Sequence, residues 1–275
     1  MLAIYHFFEL ENKSLLTVGS SGDQALNAIL CGSRDITVFD LCPFAREYYY
    51  LKVAAIKTLT IGEFLKFFCY KNYPMTFISN KMSFNLELYL KISEVLKNTN
   101  EEIKYFWDEI FMHYNGQIIR KRLFSSDEYQ SKIVSVMNRY LNNEDIYNEL
   151  AKKIDNVSVK FIYGDIFNDT IDGCFDNIFL SNLATYYSLD KMKVLFNKME
   201  NALRDNGKML IAYLYQTDIN SMDYAHGEPE IYDLPRTFKV FPQAKLNSFV
   251  ISKMVPFRDS KMKGSILTYK KVKKI

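Results

Sequence analysis

Cysteine is scarce in this sequence, and so are glycine and proline. The 275 residues include four cysteines, at positions 31, 42, 69 and 174, and none of them forms a C-x-x-C pair. This spacing argues against a disulfide framework or a zinc cluster and predicts reduced thiols. Ten glycines and six prolines are too few for a disordered or fibrous chain. The composition therefore predicts an ordinary globular protein.

Long apolar runs and a strong charge bias are also absent. The opening MLAIYHFF has no basic segment before it, and Glu9 and Glu11 soon follow, so it is predicted to be neither a signal peptide nor a membrane span. The 35 basic and 32 acidic residues leave a net charge of +3, too small to predict a nucleic-acid partner. The lysines within 270–274 are typical of a solubilising tail and predict at most peripheral membrane contact. We expect a cytoplasmic protein.

Strands and helices alternate over the first part of the chain. Leu15–Val18 is a short apolar run, a glycine turn follows it, and the apolar residues of Asp23–Leu30 have helical spacing. Ile36–Phe39 is a second run rich in β-branched residues, and Pro43 suits the start of the helix after it. Such alternation predicts an α/β fold with a parallel sheet.

The pattern between residues 62 and 155 is helical only. Thr60 and Glu63 form a predicted capping box where this block begins, and apolar stripes follow within 84–96, 101–113, 127–141 and 145–154. We therefore expect a discontinuous α/β domain, residues 1–61 and 156–275, with residues 62–155 as a helical insertion or cap between strands 2 and 3.

Strand patterns return after this block. They are predicted at 157–162, 175–180 and 209–215, and a C-terminal antiparallel hairpin is predicted at 247–254 and 265–272. A helix is expected to begin at Ser188 and to run through Leu203, with Gly207 as the glycine that ends it. The hairpin distinguishes this sheet from the all-parallel dinucleotide-binding sheet.

The turn between the first strand and the first helix, LLTVGSSGD at residues 15–23, carries most of the predicted chemistry. Gly19 and Gly22 let the backbone approach a ligand that a Cβ would repel, and the helix after them offers unpaired N–H groups. Asp40 stands 21 residues after Gly19, at a strand end where a carboxylate accepts both hydroxyls of a ribose. Asp165 follows the third strand, where it suits the exocyclic amine of adenine. Together these residues predict an adenosine-containing ligand.

Two common nucleotide motifs are missing. The chain has no G-x-x-x-x-G-K-[ST] and no G-x-G-x-x-G, which argues against a phosphate-cradling loop and against nicotinamide-dependent oxidoreduction. A phosphate-free nucleoside such as S-adenosylmethionine (AdoMet) suits a turn that carries an acid, because Asp23 and the helix N–H groups could hold its amino-acid end. Since no His, Cys, Asp and Glu spacing is typical of metal ligands, no metal is predicted.

Two segments resemble the AdoMet site of the betaine-lipid synthase family. They are VGSSGDQALNAILCGSRDITVFDLCPFAREYYYLKVAAIK with the following GEFLKFF, and FDNIFLSNLATYY. Members of that family transfer the 3-amino-3-carboxypropyl group of AdoMet to diacylglycerol. The resemblance covers about residues 14–70 and 160–215. It implies a Rossmann-like (class I) methyltransferase fold, AdoMet as cofactor, and Ser181 and Asn182 as further cofactor contacts.

The predicted cofactor site combines the first turn with residues at the ends of strands 2, 3 and 4. Its members are Gly19, Ser20, Ser21, Gly22, Asp23, Asp40, Leu41, Asp165, Ile166, Ser181 and Asn182. Asn182 and Tyr186 are candidates for orienting the acceptor, although both equally suit hydrogen bonds within their loop. His226 has a reference pKa near 6.5 and is a candidate base, although a surface histidine is more often inert.

These features predict an AdoMet-dependent transferase acting on a small-molecule or lipid acceptor. The resemblance favours aminocarboxypropyl transfer, whereas the short segment before the first strand favours methyl transfer, and both stay open. A non-catalytic AdoMet-binding protein, with the helical block as a partner surface, is the alternative. The aromatic residues of that block, among them Tyr89, Trp107 and Phe111, are expected in its core rather than in a lid.

Overall fold

The computed structural model describes residues 5, 8–68, 86–113, 138–183, 187, 189–216, 245–250 and 263–272. The chain divides into two compact units. The first unit comprises Met1–Ser20, Cys31–Cys42 and Val157–Ile275, and the second comprises Ser21–Leu30 and Pro43–Asn156.

The first unit contains a seven-stranded sheet. Its strands are β1 (Ser14–Val18), β2 (Asp35–Asp40), β3 (Ser158–Tyr163), β4 (Phe175–Phe179), β5 (Leu203–Gln216), β6 (Lys245–Val250) and β7 (Lys263–Lys270). They lie in the order β3-β2-β1-β4-β5-β7-β6. Strands β1 to β5 pair in parallel, and β7 is antiparallel to both β5 and β6. This topology confirms the predicted fold class, an α/β Rossmann-like sheet of parallel strands with a C-terminal antiparallel hairpin.

Burial along the strands follows from the sequence. Leu15 and Leu16 of β1, and Ile36 and Val38 of β2, are all buried, as expected for the continuous apolar runs of central parallel strands. By contrast, the side chains of β3 are partly or fully exposed, because this strand lies at the edge of the sheet.

A helix of the first unit packs on the sheet. Helix α7 (Leu189–Ala202) contributes Met192, Leu195 and Met199 to a buried cluster that includes Leu16 of β1 and Phe175 of β4. These three residues follow the i, i+3, i+7 spacing of an apolar helix face. The cluster fixes α7 against the strands whose carboxyl ends carry most of the predicted ligand-binding residues.

The end of α7 corrects one sequence expectation. The helix ends at Ala202 and β5 begins directly at Leu203, so Gly207 lies inside the strand rather than after the helix. The residue with positive φ is Asn206, at 63°, next to an irregularity in the pairing of β4 with β5. A Cβ on Gly207 would lie 2.8 Å from the Arg204 carbonyl oxygen. Glycine is therefore required here by close backbone packing, which the sequence pattern did not reveal.

The second unit is helical. Its helices are α1 (Asp23–Leu30), α2 (Phe44–Thr58), α3 (Ile61–Phe67), α4 (Leu86–Thr99), α5 (Glu101–Asp108) and α6 (Glu144–Ile154), with a π-helical segment at Glu109–His113 and a 3₁₀ turn at Arg139–Leu141. The predicted capping box at Thr60 and Glu63 is confirmed. The predicted helix at 127–141 lies outside the described residues up to position 137.

Aromatic side chains form much of the interior of the second unit. Tyr89, Trp107 and Phe111 are buried as expected, and the Trp107 and Phe111 rings are stacked with centroids 5.4 Å apart. The indole N–H of Trp107 donates to the Glu47 carbonyl oxygen at 3.0 Å, which satisfies the polar atom of a buried ring. Tyr105 is instead 64% exposed.

Helices α1 and α2 group with the helical block in the second unit, whereas the boundaries expected from the sequence place them with the sheet; those boundaries stay a prediction. Within the described residues, none of the helices combines the length and the apolar character that crossing a membrane requires.

Candidate nucleoside site at the strand ends

The carboxyl ends of β3, β2, β1 and β4 lie side by side in the first unit. Asp40 of β2 pairs with Tyr163 of β3, and the Gly164 amide donates to the Asp40 carbonyl oxygen at 3.0 Å. The Gly19 amide donates to the Phe39 carbonyl oxygen at 3.1 Å, which joins the ends of β1 and β2. Neighbouring strands are about 4.8 Å apart, so the rim from β3 to β4 extends over about 14 Å.

Asp40 ties two of these strand ends together. Its Oδ2 accepts a hydrogen bond from the Ser20 amide at 2.6 Å, and its Oδ1 accepts one from the Cys42 amide at 2.8 Å. An ionised carboxylate has about four acceptor positions, so each oxygen retains capacity for one further donor. Asp40 is partly exposed and can therefore accept from two adjacent hydroxyl groups, as predicted for a ribose.

Two serines at this rim have left-handed backbone conformations. The φ angle is 48° at Ser20, after β1, and 51° at Ser181, after β4. The other non-glycine residues with positive φ in the described chain, Asn12 and Asn206, are of a type that tolerates this region better. Such a conformation costs on the order of 1–3 kcal/mol and is concentrated at ligand-binding sites. The strain at these two strand ends therefore supports a site there.

The loop after β3 is a tight turn built around Asp165. Its Oδ1 accepts from the Phe167 amide at 2.9 Å, and its Oδ2 accepts from the Asn168 side-chain amide at 2.5 Å. The Asp165 amide in turn donates to Asp169 Oδ2 at 2.5 Å. This network fixes the direction of the Asp165 carboxylate and leaves part of its acceptor capacity for a ligand amine.

Ile166 and Leu41 complete the rim with different surfaces. The Ile166 side chain is buried in the core of the first unit, and among the described residues no group accepts a hydrogen bond from its amide. The amide is thus an available donor in the residue that follows Asp165. Leu41 follows Asp40 and is 55% exposed, an apolar surface suited to the face of a base.

The predicted acceptor side is described only in part. Ser181 Oγ donates to Asn182 Oδ1 at 3.3 Å, which orients the Asn182 amide at the end of β4. Burial and the negative charge of Asp165 raise the pKa of Tyr187, so this phenol stays protonated at neutral pH. Tyr186 and His226 lie outside the described residues, and their roles stay predictions.

In the second unit, the other half of the predicted turn is buried. Asp23 is 1% exposed, and its Oδ1 accepts from Lys52 Nζ at 2.7 Å and from the Tyr140 hydroxyl at 2.6 Å. Its Oδ2 accepts from Ser21 Oγ at 2.8 Å. Burial lowers the pKa of Lys52, and the adjacent Asp23 opposes this shift. Asp23 is thus engaged by three protein donors.

Gly22 is also constrained by its own unit. Its φ is 80°, and a Cβ there would lie 3.0 Å from the Tyr49 Cα. A side chain at position 22 would therefore meet α2 first, and the role of Gly22 in ligand binding stays a prediction.

Two lysines near the predicted residues were not identified from the sequence. Lys52 lies in the middle of α2, where it is fully buried, and Lys198 of α7 donates to the Ile166 carbonyl oxygen at 2.7 Å. A lysine within an otherwise apolar helix stretch, LKVAAI, was the available signal for Lys52. No local pattern distinguishes Lys198 from the exposed lysines of its helix.

The charge of the described rim is negative. Asp40, Asp165 and Asp169 contribute three carboxylates at the ends of two adjacent strands, and the ammonium of Lys198 on the Ile166 carbonyl oxygen offsets one of these charges. This favours a ligand with a positive centre over one with a pyrophosphate. Within the described residues, no group of three or more His, Cys, Asp or Glu side chains could hold a metal ion.

Comparison with known proteins gave structural similarity only. No family model and no curated protein matches the chain. One similar structure is the N-methyltransferase NodS from Bradyrhizobium japonicum WM9 in complex with S-adenosyl-L-homocysteine. Its TM-score is 0.46 at 8% identity, and the match covers 99% of this chain and 86% of NodS. TehB from Haemophilus influenzae gives a TM-score of 0.44 at 10% identity, with 98% of this chain and 60% of TehB covered.

A TehB-like SAM-dependent methyltransferase from Corynebacterium glutamicum is also similar. Its TM-score is 0.42 at 12% identity, with 98% of this chain and 86% of that chain covered. At these identities and TM-scores the similarity does not assign an activity to this chain.

Proposed function

We propose that this chain is a transferase that binds AdoMet along the rim formed by β3, β2, β1 and β4. The observation that carries the proposal is the placement of Asp40 and Asp165 at the ends of adjacent strands, two positions apart across the β2–β3 pairing. Asp40 accepts the two ribose hydroxyls. Asp165 accepts from the adenine amine, and the Ile166 amide donates to the neighbouring ring nitrogen.

Charge and shape support this ligand further. The sulfonium of AdoMet is a cation, and the rim carries three carboxylates against the one ammonium of Lys198. The chain also has no glycine motif for a pyrophosphate. The exposed Leu41 side chain covers the apolar face of the base. The turn after β1, strained at Ser20, lies where the chain beyond the ribose passes.

The sulfonium is already activated, so the protein contributes mainly position and exclusion of water. The acceptor nucleophile forms a bond to one carbon next to sulfur while the carbon–sulfur bond breaks, and sulfur keeps the electron pair. Attack on the methyl carbon releases S-adenosylhomocysteine, whereas attack on the γ-carbon of the methionine chain releases methylthioadenosine. An acceptor that is an alcohol or an ammonium also loses a proton.

Mass spectrometry of the spent cofactor tests this proposal. The protein is incubated with AdoMet and a cell extract depleted of small nucleosides, and the Asp40→Ala variant provides the matched control. S-adenosylhomocysteine that depends on Asp40 supports methyl transfer, and methylthioadenosine that depends on Asp40 supports aminocarboxypropyl transfer. Calorimetric binding of AdoMet with neither product would instead support the non-catalytic alternative, and absence of binding would refute the proposal.

A further inference from the structure

The loop that carries Asp165 is held by a lysine from another element. Lys198 Nζ of α7 donates to the carbonyl oxygens of both Ile166, at 2.7 Å, and Asp169. The turn itself is a single helical turn, since the Asp169 amide donates to the Asp165 carbonyl oxygen at 2.8 Å. Its last carbonyl groups have no helical partner of their own, and a cation at this position satisfies them.

These two carbonyl groups belong to the turn that carries the atoms proposed to contact the base. The Ile166 side chain is fixed in the core, and Lys198 fixes the carbonyl group of the same residue. The Ile166 amide itself shares a peptide group with the Asp165 carbonyl, whose oxygen accepts from the Asn168 and Asp169 amides. By holding Ile166 and Asp169 together, Lys198 keeps this turn closed. The second contact holds Asp169, whose carboxylate accepts from the Asp165 amide. Lys198 therefore acts on the shape of the turn, and through that shape on the Ile166 amide and the Asp165 carboxylate.

We propose that Lys198 is the positioning residue that sets selectivity for a 6-aminopurine over a 6-oxopurine at this site. The inference rests on the proposed function. Adenine offers a donor at its amine and an acceptor at N1, which match Asp165 and the Ile166 amide. Hypoxanthine reverses both polarities, so its carbonyl group would face the carboxylate and its N1–H would face the amide. Discrimination between the two bases depends on how rigidly the turn is held.

The neighbouring Lys193 provides a matched control on the same helix. Among the residues that the structure describes, its Nζ pairs with Asp190 alone, at 3.3 Å, and its side chain is 57% exposed. Lys198→Met keeps the length and the apolar stem of the side chain but removes the ammonium, and Lys193→Met makes the same chemical change away from the turn. Lys198→Arg retains donors for both carbonyl groups.

The experiment measures dissociation constants by calorimetry for S-adenosylhomocysteine and its 6-oxo analogue, S-inosylhomocysteine, together with the melting temperature of each variant. We expect the wild-type chain to bind S-adenosylhomocysteine at least about tenfold more tightly than S-inosylhomocysteine. In Lys198→Met this affinity ratio should fall about tenfold because the adenine ligand binds more weakly, a loss similar to that of one hydrogen bond to a charged group. Lys193→Met should preserve the ratio, and Lys198→Arg should restore most of it.

The outcomes separate this inference from the proposed function. A wild-type chain that binds neither ligand would overturn both. A wild-type chain that binds S-adenosylhomocysteine, with an affinity ratio unchanged in Lys198→Met, would overturn the positioning role alone, even if the melting temperature fell. Lys198→Met protein that failed to fold would show that the lysine is needed for stability, and an unchanged ratio in Lys198→Gln would then refute the role.

Discussion

The role of Asp40 leads to a quantitative prediction. In the proposed complex its carboxylate accepts two ribose hydroxyls while it retains the Ser20 and Cys42 amides, at 2.6 and 2.8 Å. A hydrogen bond to a charged group contributes about 1.5–3 kcal/mol, but water replaces part of it at a partly exposed site. We therefore expect Asp40→Ala to weaken binding of S-adenosylhomocysteine by about 1–3 kcal/mol, which is about 5- to 150-fold in the dissociation constant.

A ligand without one hydroxyl separates ribose recognition from support of the loop. Asp40 also holds the turn after β1, so its removal could weaken binding indirectly. Calorimetry with S-adenosylhomocysteine and its 2′-deoxy analogue resolves this. If Asp40 binds the ribose, the wild-type chain distinguishes the two ligands and Asp40→Ala distinguishes them much less, since the two changes remove the same interaction.

Asp35 provides the control for this measurement. It stands at the opposite end of β2 and is exposed, so Asp35→Ala makes the same change in charge and size away from the rim. Its affinity for both ligands should equal that of the wild-type chain. Unchanged affinity in Asp40→Ala, or an equal loss for both ligands, would refute the assignment of Asp40 to the ribose.

The strand ends could be predicted from the sequence because local patterns determine them. An apolar run that ends in a glycine or an acid marks the end of a buried parallel strand, and parallel pairing brings these ends to one edge. Gly19, Asp40 and Asp165 were identified in this way. Ser181 required the family resemblance, since a serine after a strand has no specific chemistry of its own.

The second half of the glycine turn could not be predicted in the same way. The local pattern places Asp23 at the start of a helix, where an acid suits either a ligand or the helix dipole. Its burial depends on Lys52 and Tyr140, which are 29 and 117 residues away in the sequence. Likewise, the need for glycine at position 207 arises from the Asp176 carbonyl oxygen on a neighbouring strand as well as from the local Arg204 carbonyl oxygen. Contacts of this range leave no periodic signal.

Three further predictions concern stability. Gly22→Val should lower the free energy of unfolding in urea by about 1–3 kcal/mol or more. The strained φ alone costs that amount, and the new Cβ would also meet the Tyr49 backbone. A fully stable variant would contradict this packing. Partial burial raises the pKa of Asp176, but two hydrogen bonds from Ser14 and the positive charge of Arg204 outweigh it, so the pKa is lowered. Because the pKa of Asp176 is lower in the folded state, the carboxylate stabilises the fold at neutral pH, and this stabilisation is lost as the pH falls through the folded-state pKa. Asp176→Asn should therefore lower the free energy of unfolding by about 1–3 kcal/mol at pH 7. The difference in unfolding free energy between variant and wild type should narrow below about pH 4. Lys52→Met would leave the Asp23 carboxylate buried without its cation, and we expect a loss of about 3–5 kcal/mol in the same unfolding assay. The double variant with Asp23→Asn removes the uncompensated charge and should recover a substantial part of this loss. If the single variant is as stable as the wild type, or the double variant is less stable than the single one, the two side chains do not form the buried ion pair that orders the turn.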